Sequence, residues 1–229
     1  VQEVCDSIWG VKGDNDIKRL VAEQGKVDYD WVLYPNSKSG KIQYDVAIAY
    51  KKAKFNLLES GIFYLGGVRD TAILAPKAPK GSQRPCVWAH LEHKDSGKDF
   101  YFLSVHFLVP QKGKNGNSNI EGNKYNMQRL REITMDMIPA DTPSILVGDF
   151  NAYPDSKAIS YMQESWTQIS VPDNSFPSHA PDRCIDYIFV RPNGKKVSVE
   201  AAEIPVALQT ADVATATDHL PVVLTVTIE

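Results

Sequence analysis

At 229 residues the chain can bury one sizeable core, and α/β chains of this length commonly form a single domain, here expected to span residues 1–229. Its 43% hydrophobic and 23% charged residues are the proportions of a globular protein, and no apolar stretch approaches the roughly 20 residues of a membrane-spanning helix. A net charge of −3 weighs against, without excluding, a protein that lives on nucleic-acid phosphates, because such proteins carry a basic surface.

In chain order, Val1 to Val4 places Glu3 among valines. Asp14 to Gln24 carries Ile17, Leu20 and Val21 at helical spacing, with Gly25 to close it. Strands are expected over Tyr44–Tyr50, Phe55–Glu59, Val87–Leu91 and Phe100–Phe107. Ser118 and Glu121 have capping-box spacing ahead of Met127, Leu130, Ile133, Thr134 and Met137, one face of a helix that must end before Pro139. Strands over Ser144–Val147, Ile185–Val190 and Val222–Ile228 follow. Two loops are long, Thr71–Gln83 and Val109–Asn117. Lys77, Lys80 and Arg84, and Lys112, Lys114 and Lys124, form two loose basic clusters in and beside them, which ordinary solvated loops account for. Cys5, Cys86 and Cys184 are odd in number and have no Cys-x-x-Cys spacing, so they form neither a disulfide framework nor a zinc site. Trp9, Trp31, Trp88 and Trp166 read as core residues.

Polar residues interrupt this pattern at strand ends. Ile-Leu-Val ends on Gly148, Asp149, Phe150 and Asn151; on an extended backbone Asp149 and Asn151 point to one side, although Gly, Asp and Asn are also ordinary turn formers. His106 closes one strand, Asp186 interrupts another, and Asp218 and His219 precede the last. Each has a structural reading as cap, partnered core residue or edge charge. With Glu3 of the opening segment these make five interruptions at or beside strand termini, where a sheet is rigid enough to mount chemistry, and they form a pattern.

These residues, in this order, resemble the endonuclease/exonuclease/phosphatase superfamily: Gln2-Glu3, the lone His106, Gly148-Asp149-Phe150-Asn151, Ile185-Asp186-Tyr187 and Asp218-His219-Leu220-Pro221. Tyr44 to Gly66 is similar to the family's central hairpin region, and Arg84 to Leu91 to its Arg-x-x-x-Trp-Ala strand. The resemblance implies a four-layer α-β-β-α sandwich of two mixed, largely antiparallel sheets, with the motif loops gathered at one edge. It implies a hydrolase of phosphate esters: His106, Asp149, Asn151, Asp186 and His219 catalytic, Arg84 on the substrate phosphate, Glu3 and Asp218 on Mg²⁺ or Mn²⁺. Arg129, at a position the family commonly fills with arginine, is read as structural. The substrate class and compartment stay open. Family members begin with a strand carrying an Asn, which is expected to be missing ahead of Val1; the alternative is therefore a binding protein of the same fold with impaired catalysis.

Overall fold

The computed structural model describes the backbone of residues 2–5 and residues 28–34, 43–68, 71, 73–79, 82–109, 118–205 and 217–229. The helix expected over Asp14–Gln24 lies outside them, as do Lys80, Lys112 and Lys114. The strands are β1 (Gln2–Cys5), β2 (Tyr29–Leu33), β3 (Gln43–Lys51), β4 (Phe55–Tyr64), β5 (Pro85–His93), β6 (Asp99–His106), β7 (Ser144–Asp149), β8 (Thr167–Gln168), β9 (Asp186–Arg191), β10 (Val197–Glu203) and β11 (Val223–Ile228). Two helices, α1 (Ser118–Met137) and α2 (Lys157–Gln163), flank β7 in the chain.

Six strands form the main sheet in the order β4-β5-β6-β7-β9-β8. It is mixed: β6 and β7 run parallel, joined across α1, while the other neighbours are antiparallel. A parallel pair needs a crossover of a dozen residues or more, and α1 provides it. A second, antiparallel sheet has the order β1-β3-β2, and β10 pairs with β11 in a hairpin.

Strand periodicity assigns the two faces of the main sheet to separate cores. From β5, Cys86 joins Leu103, Val105 and Leu146 beneath Met127 and Leu130 of α1 and Ile159 and Met162 of α2. The alternate residues Val87, Ala89 and Leu91 pack on Val32 of β2 and Val46, Ile48 and Tyr50 of β3. The strand β5 is therefore buried on both sides, which explains its nearly continuous apolar run. Helices, main sheet and second sheet thus stack as an α/β arrangement. Trp166 is buried and Trp88 packs against the helix-side core, as expected of core tryptophans. Cys86 and Cys184 are buried and free. Among the described residues no helix is long and apolar enough to cross a membrane.

Several boundaries differ from the sequence reading. β4 continues to Tyr64 because the antiparallel ladder with β5 carries it past Glu59, with an irregularity between Leu57 and Glu59. The strands β2 and β10 and the helix α2 were not expected. The last begins on Ser156, whose side chain accepts the Ile159 amide at 3.3 Å, an N-cap on only seven residues.

Candidate active site

The main sheet brings three motif residues to one edge. His106 ends β6 and lies in register with Asp149, the last residue of β7; Asp149 in turn lies opposite Asp186, the first residue of β9. Parallel pairing on one side and antiparallel pairing on the other thus place two C-terminal strand ends beside one N-terminal end. Asp186 opens its strand rather than interrupting it. Gly148 makes the approach of β6 and β7 possible: a Cβ there would lie 2.0 Å from the Val105 carbonyl oxygen.

The relation of Asp149 to Asn151 needs correction. The backbone is not extended through the motif, since Asn151 has φ +45° in the left-handed region. The turn folds Asn151 back, so that its amide N–H donates to Oδ1 of Asp149 at 2.7 Å and its Nδ2 donates to Oδ2 at 3.0 Å. Nδ2 also donates to the Phe107 carbonyl at 3.1 Å, where the Arg84 Nη2 donates at 3.2 Å. Arg84 thereby stands one shared carbonyl away from Asn151. Arg129, in contrast, forms an exposed ion pair with Glu132 within α1.

His219 arrives from the segment before β11. Its Nδ1 lies 2.8 Å from Oδ2 of Asp186, and because an ionised carboxylate only accepts, Nδ1 carries the proton. Nε2 then faces Oδ2 of Asp149 at 4.0 Å, and Nε2 of His106 approaches the same oxygen at 3.6 Å. The segment holding His219 is tied to residues 175–178: Leu220 N–H donates to the Ser175 carbonyl, Ser178 N–H to the Asp218 carbonyl, and Ser178 Oγ to the Thr217 carbonyl. The ring of Phe176 leans on His219 with centroids 4.7 Å apart.

Electrostatics follow from this crowding. Burial pushes the Asp149 carboxyl up from 3.8 to about 6, and the Asp186 charge adds to the rise; the Asn151 amide and the two imidazoles oppose it. For His219, burial disfavours the charged ring. The Asp186 hydrogen bond and charge, with Asp149 and Asp218, outweigh that and raise its pKa above 6.5. Asp149, Asp186 and His219 each offer a ligand atom within 4.8 Å of the others, a grouping that can hold a cation.

His106, Asp149, Asn151, Asp186 and His219 therefore converge. Asp218 is adjacent to His219 but exposed, outside that three-residue group. Glu3 sits in β1 on the second sheet, and its side chain lies outside the described residues. Ser175 and Phe176 touch the site without having been singled out; Ser175 is a small polar residue in a loop, and only tertiary pairing brings it to Asp186.

A family model described as the endonuclease/exonuclease/phosphatase family matches residues 1–219. The chain belongs to this family. Solved structures of the same fold include a family member from Bacteroides vulgatus, 23% identical over 93% of this chain and 80% of that one, with TM-score 0.71. A mannosyl-6-phosphatase from Bacteroides thetaiotaomicron is 20% identical, covering 92% and 82%, also at 0.71. The D. rerio TDP2 structure with a single-strand DNA product is 16% identical over 92% and 81%, at 0.62. No curated protein matches the chain in sequence. Family members are hydrolases of phosphate esters, and the neighbours span sugar phosphate and nucleic acid.

Proposed function

We propose that this chain is a metal-dependent hydrolase of a phosphate ester, with its centre at the ends of β6, β7 and β9. The supporting observation is the convergence of His106, Asp149 and Asp186 on one sheet edge, with Nε2 of His219 turned towards Asp149 at 4.0 Å. In this reading a water oxygen bonds to phosphorus, the ester P–O bond breaks, and the departing oxygen takes up a proton. Asp149, with its pKa near 6, is mostly ionised at neutral pH yet basic enough to take the proton of the attacking water. Asn151 holds that carboxylate from both oxygens and fixes its direction. Nε2–H of His219, whose charged form Asp186 favours, meets the phosphoryl oxygens as negative charge builds on them. His106 and Arg84 add hydrogen bonds to phosphate.

The donor set fits a hard divalent cation. Two carboxylates on adjacent strands repel each other strongly enough to help lift the Asp149 pKa, and a cation relieves that repulsion. We assign Mg²⁺ or Mn²⁺, with Glu3 from the second sheet and Asp218 as ligands beside the Asp149 group. Such an ion, when bound, polarises the phosphoryl oxygen and offsets its developing charge. The assignment also takes residues 1–229 as one domain with the family's four-layer α-β-β-α architecture.

The test is a panel of phosphomonoesters, phosphodiesters, sugar phosphates, phospholipids and single-stranded DNA assayed with Mg²⁺ and with Mn²⁺. Hydrolysis of at least one class that is lost in His219→Ala supports the reading. Full activity in that variant, or no hydrolysis of any class, overturns it.

A further inference from the structure

Ser175 is completely buried, and its three polar groups all act on the segments that carry Asp186 and His219. Its amide donates to the Arg183 carbonyl at 2.9 Å, in the strand-like approach to β9. Its carbonyl accepts the amide of Leu220, next to His219, at 2.7 Å. Its hydroxyl donates to Oδ2 of Asp186 at 2.5 Å, the oxygen that already accepts Nδ1 of His219 at 2.8 Å. The neighbouring Phe176 completes the contact by resting its ring on the imidazole.

We propose that Ser175 is a positioning residue that sets the geometry of the Asp186–His219 pair; this deepens the hydrolase reading above and rests on it. A carboxylate turns easily about its terminal torsion, so one hydrogen bond to the histidine does not by itself choose which oxygen faces the ring. A second donor on the same oxygen does. With Oδ2 held between the Ser175 hydroxyl and the His219 ring, the imidazole is kept in the tautomer and direction that present Nε2 to Asp149. The backbone bonds of residue 175 bring the two segments together, and the hydroxyl alone aligns the side chains. This division separates the alignment from the fold, because alanine removes the hydroxyl and keeps both backbone bonds.

The experiment compares Ser175→Ala and Ser175→Thr with the parent by ring-proton NMR on histidine-labelled protein and by steady-state kinetics on the best substrate of the panel. The parent is expected to show a downfield Nδ1–H resonance, assigned by its loss in His219→Gln. In Ser175→Ala that resonance should move or broaden, and kcat should fall about tenfold with KM within about twofold, the scale of one hydrogen bond to a charged group. Ser175→Thr keeps the hydroxyl and should retain the resonance and most of kcat; should its extra methyl prevent folding, the alanine variant decides alone. An unchanged resonance in Ser175→Ala overturns the proposal whatever the rate. A shifted resonance in a protein whose parent hydrolyses nothing overturns the hydrolase reading and leaves Ser175 in its positioning role.

Discussion

Two histidine–aspartate pairs lie at the two ends of β6. Asp99 begins the strand and pairs with His90 of β5 at 2.6 Å; His106 ends it, roughly 23 Å away at the usual rise per residue, next to Asp149, on whose other side Asp186 pairs with His219 at 2.8 Å. The shorter contact is the less informative one. Asp99 is 43% exposed, and the His90 ring stacks flat on Tyr101 with centroids 4.3 Å apart, so both residues have ordinary partners. The other pair sits beside the buried carboxylate of Asp149, whose proton affinity is displaced, and among the described residues it alone belongs to a group of three metal-capable side chains. Proximity of histidine to aspartate does not mark a site. The marks are a second carboxylate held out of water and an imidazole nitrogen turned towards it.

The largest expected effect separates the two ends by metal. Chelation should abolish hydrolysis, and re-addition of Mg²⁺ or Mn²⁺ should restore it. Glu3→Gln should weaken cation binding in titration calorimetry while circular dichroism stays unchanged, because a carboxamide is a poorer ligand of similar volume. Equal cation affinity in mutant and parent would remove Glu3 from the site.

Next comes the pair itself. His219→Ala is expected to lower kcat at least ~100-fold, the low end for a positioned acid–base or phosphate-bonding group. Asp186→Asn should resemble it, and the double variant should lose little more than either, since the two act as one unit. Losses that multiply would show that the pair does not work as a unit. His90→Ala in the same assay should stay within about twofold of the parent.

Most of the candidate edge was legible because a buried strand in this fold must end somewhere, and a charged residue closing an apolar run shows where. The same cue located His106, Asp149 and the start of β9. It could not describe the turn after Asp149: Asn151 was expected on an extended backbone, whereas its left-handed conformation is what returns its side chain to the carboxylate. The strand β10 was missed because Ala201, Ala202 and Glu203 have weak strand preference; it forms through pairing with β11, with a register shift between Val199 and Ala201. The helix α2 is too short for periodicity to register. Ser175 was invisible for a different reason: its role depends on residues 11 and 33 or more positions apart in the chain meeting at one carboxylate oxygen.

A smaller effect concerns stability and pH in the metal-free protein. Asp149 holds its proton more tightly folded, near 6, than unfolded, at 3.8. Its contribution is therefore complete below pH 3.8 and is lost as pH rises through about 6. His219 acts in the same direction, since its raised pKa contributes fully below 6.5 and fades above the folded value. Metal-free protein should thus lose stability between pH 4 and pH 8, with about 3 kcal/mol attributable to Asp149. Asp149→Asn should flatten that slope in urea titrations and raise stability at pH 8. A parent curve that rises with pH across this window would contradict the burial of an ionisable Asp149.

The smallest effect belongs to the far pair and is the control that gives the comparison its meaning. Partly exposed ion pairs contribute about 0.2–1 kcal/mol, because water already solvates each partner well and the side chains lose freedom on pairing. Asp99→Asn removes the charge and keeps a hydrogen-bonding group for Nε2 of His90, while the ring stays stacked on Tyr101. It should shift the unfolding midpoint by no more than that range, and less at 1 M salt, where surface charges are screened within about 3 Å. Hydrolysis and cation affinity should match the parent. A loss of activity beyond about tenfold in Asp99→Asn would mean that the two ends of β6 communicate through the strand, and the distinction drawn between the pairs would then fail on the molecule's own terms.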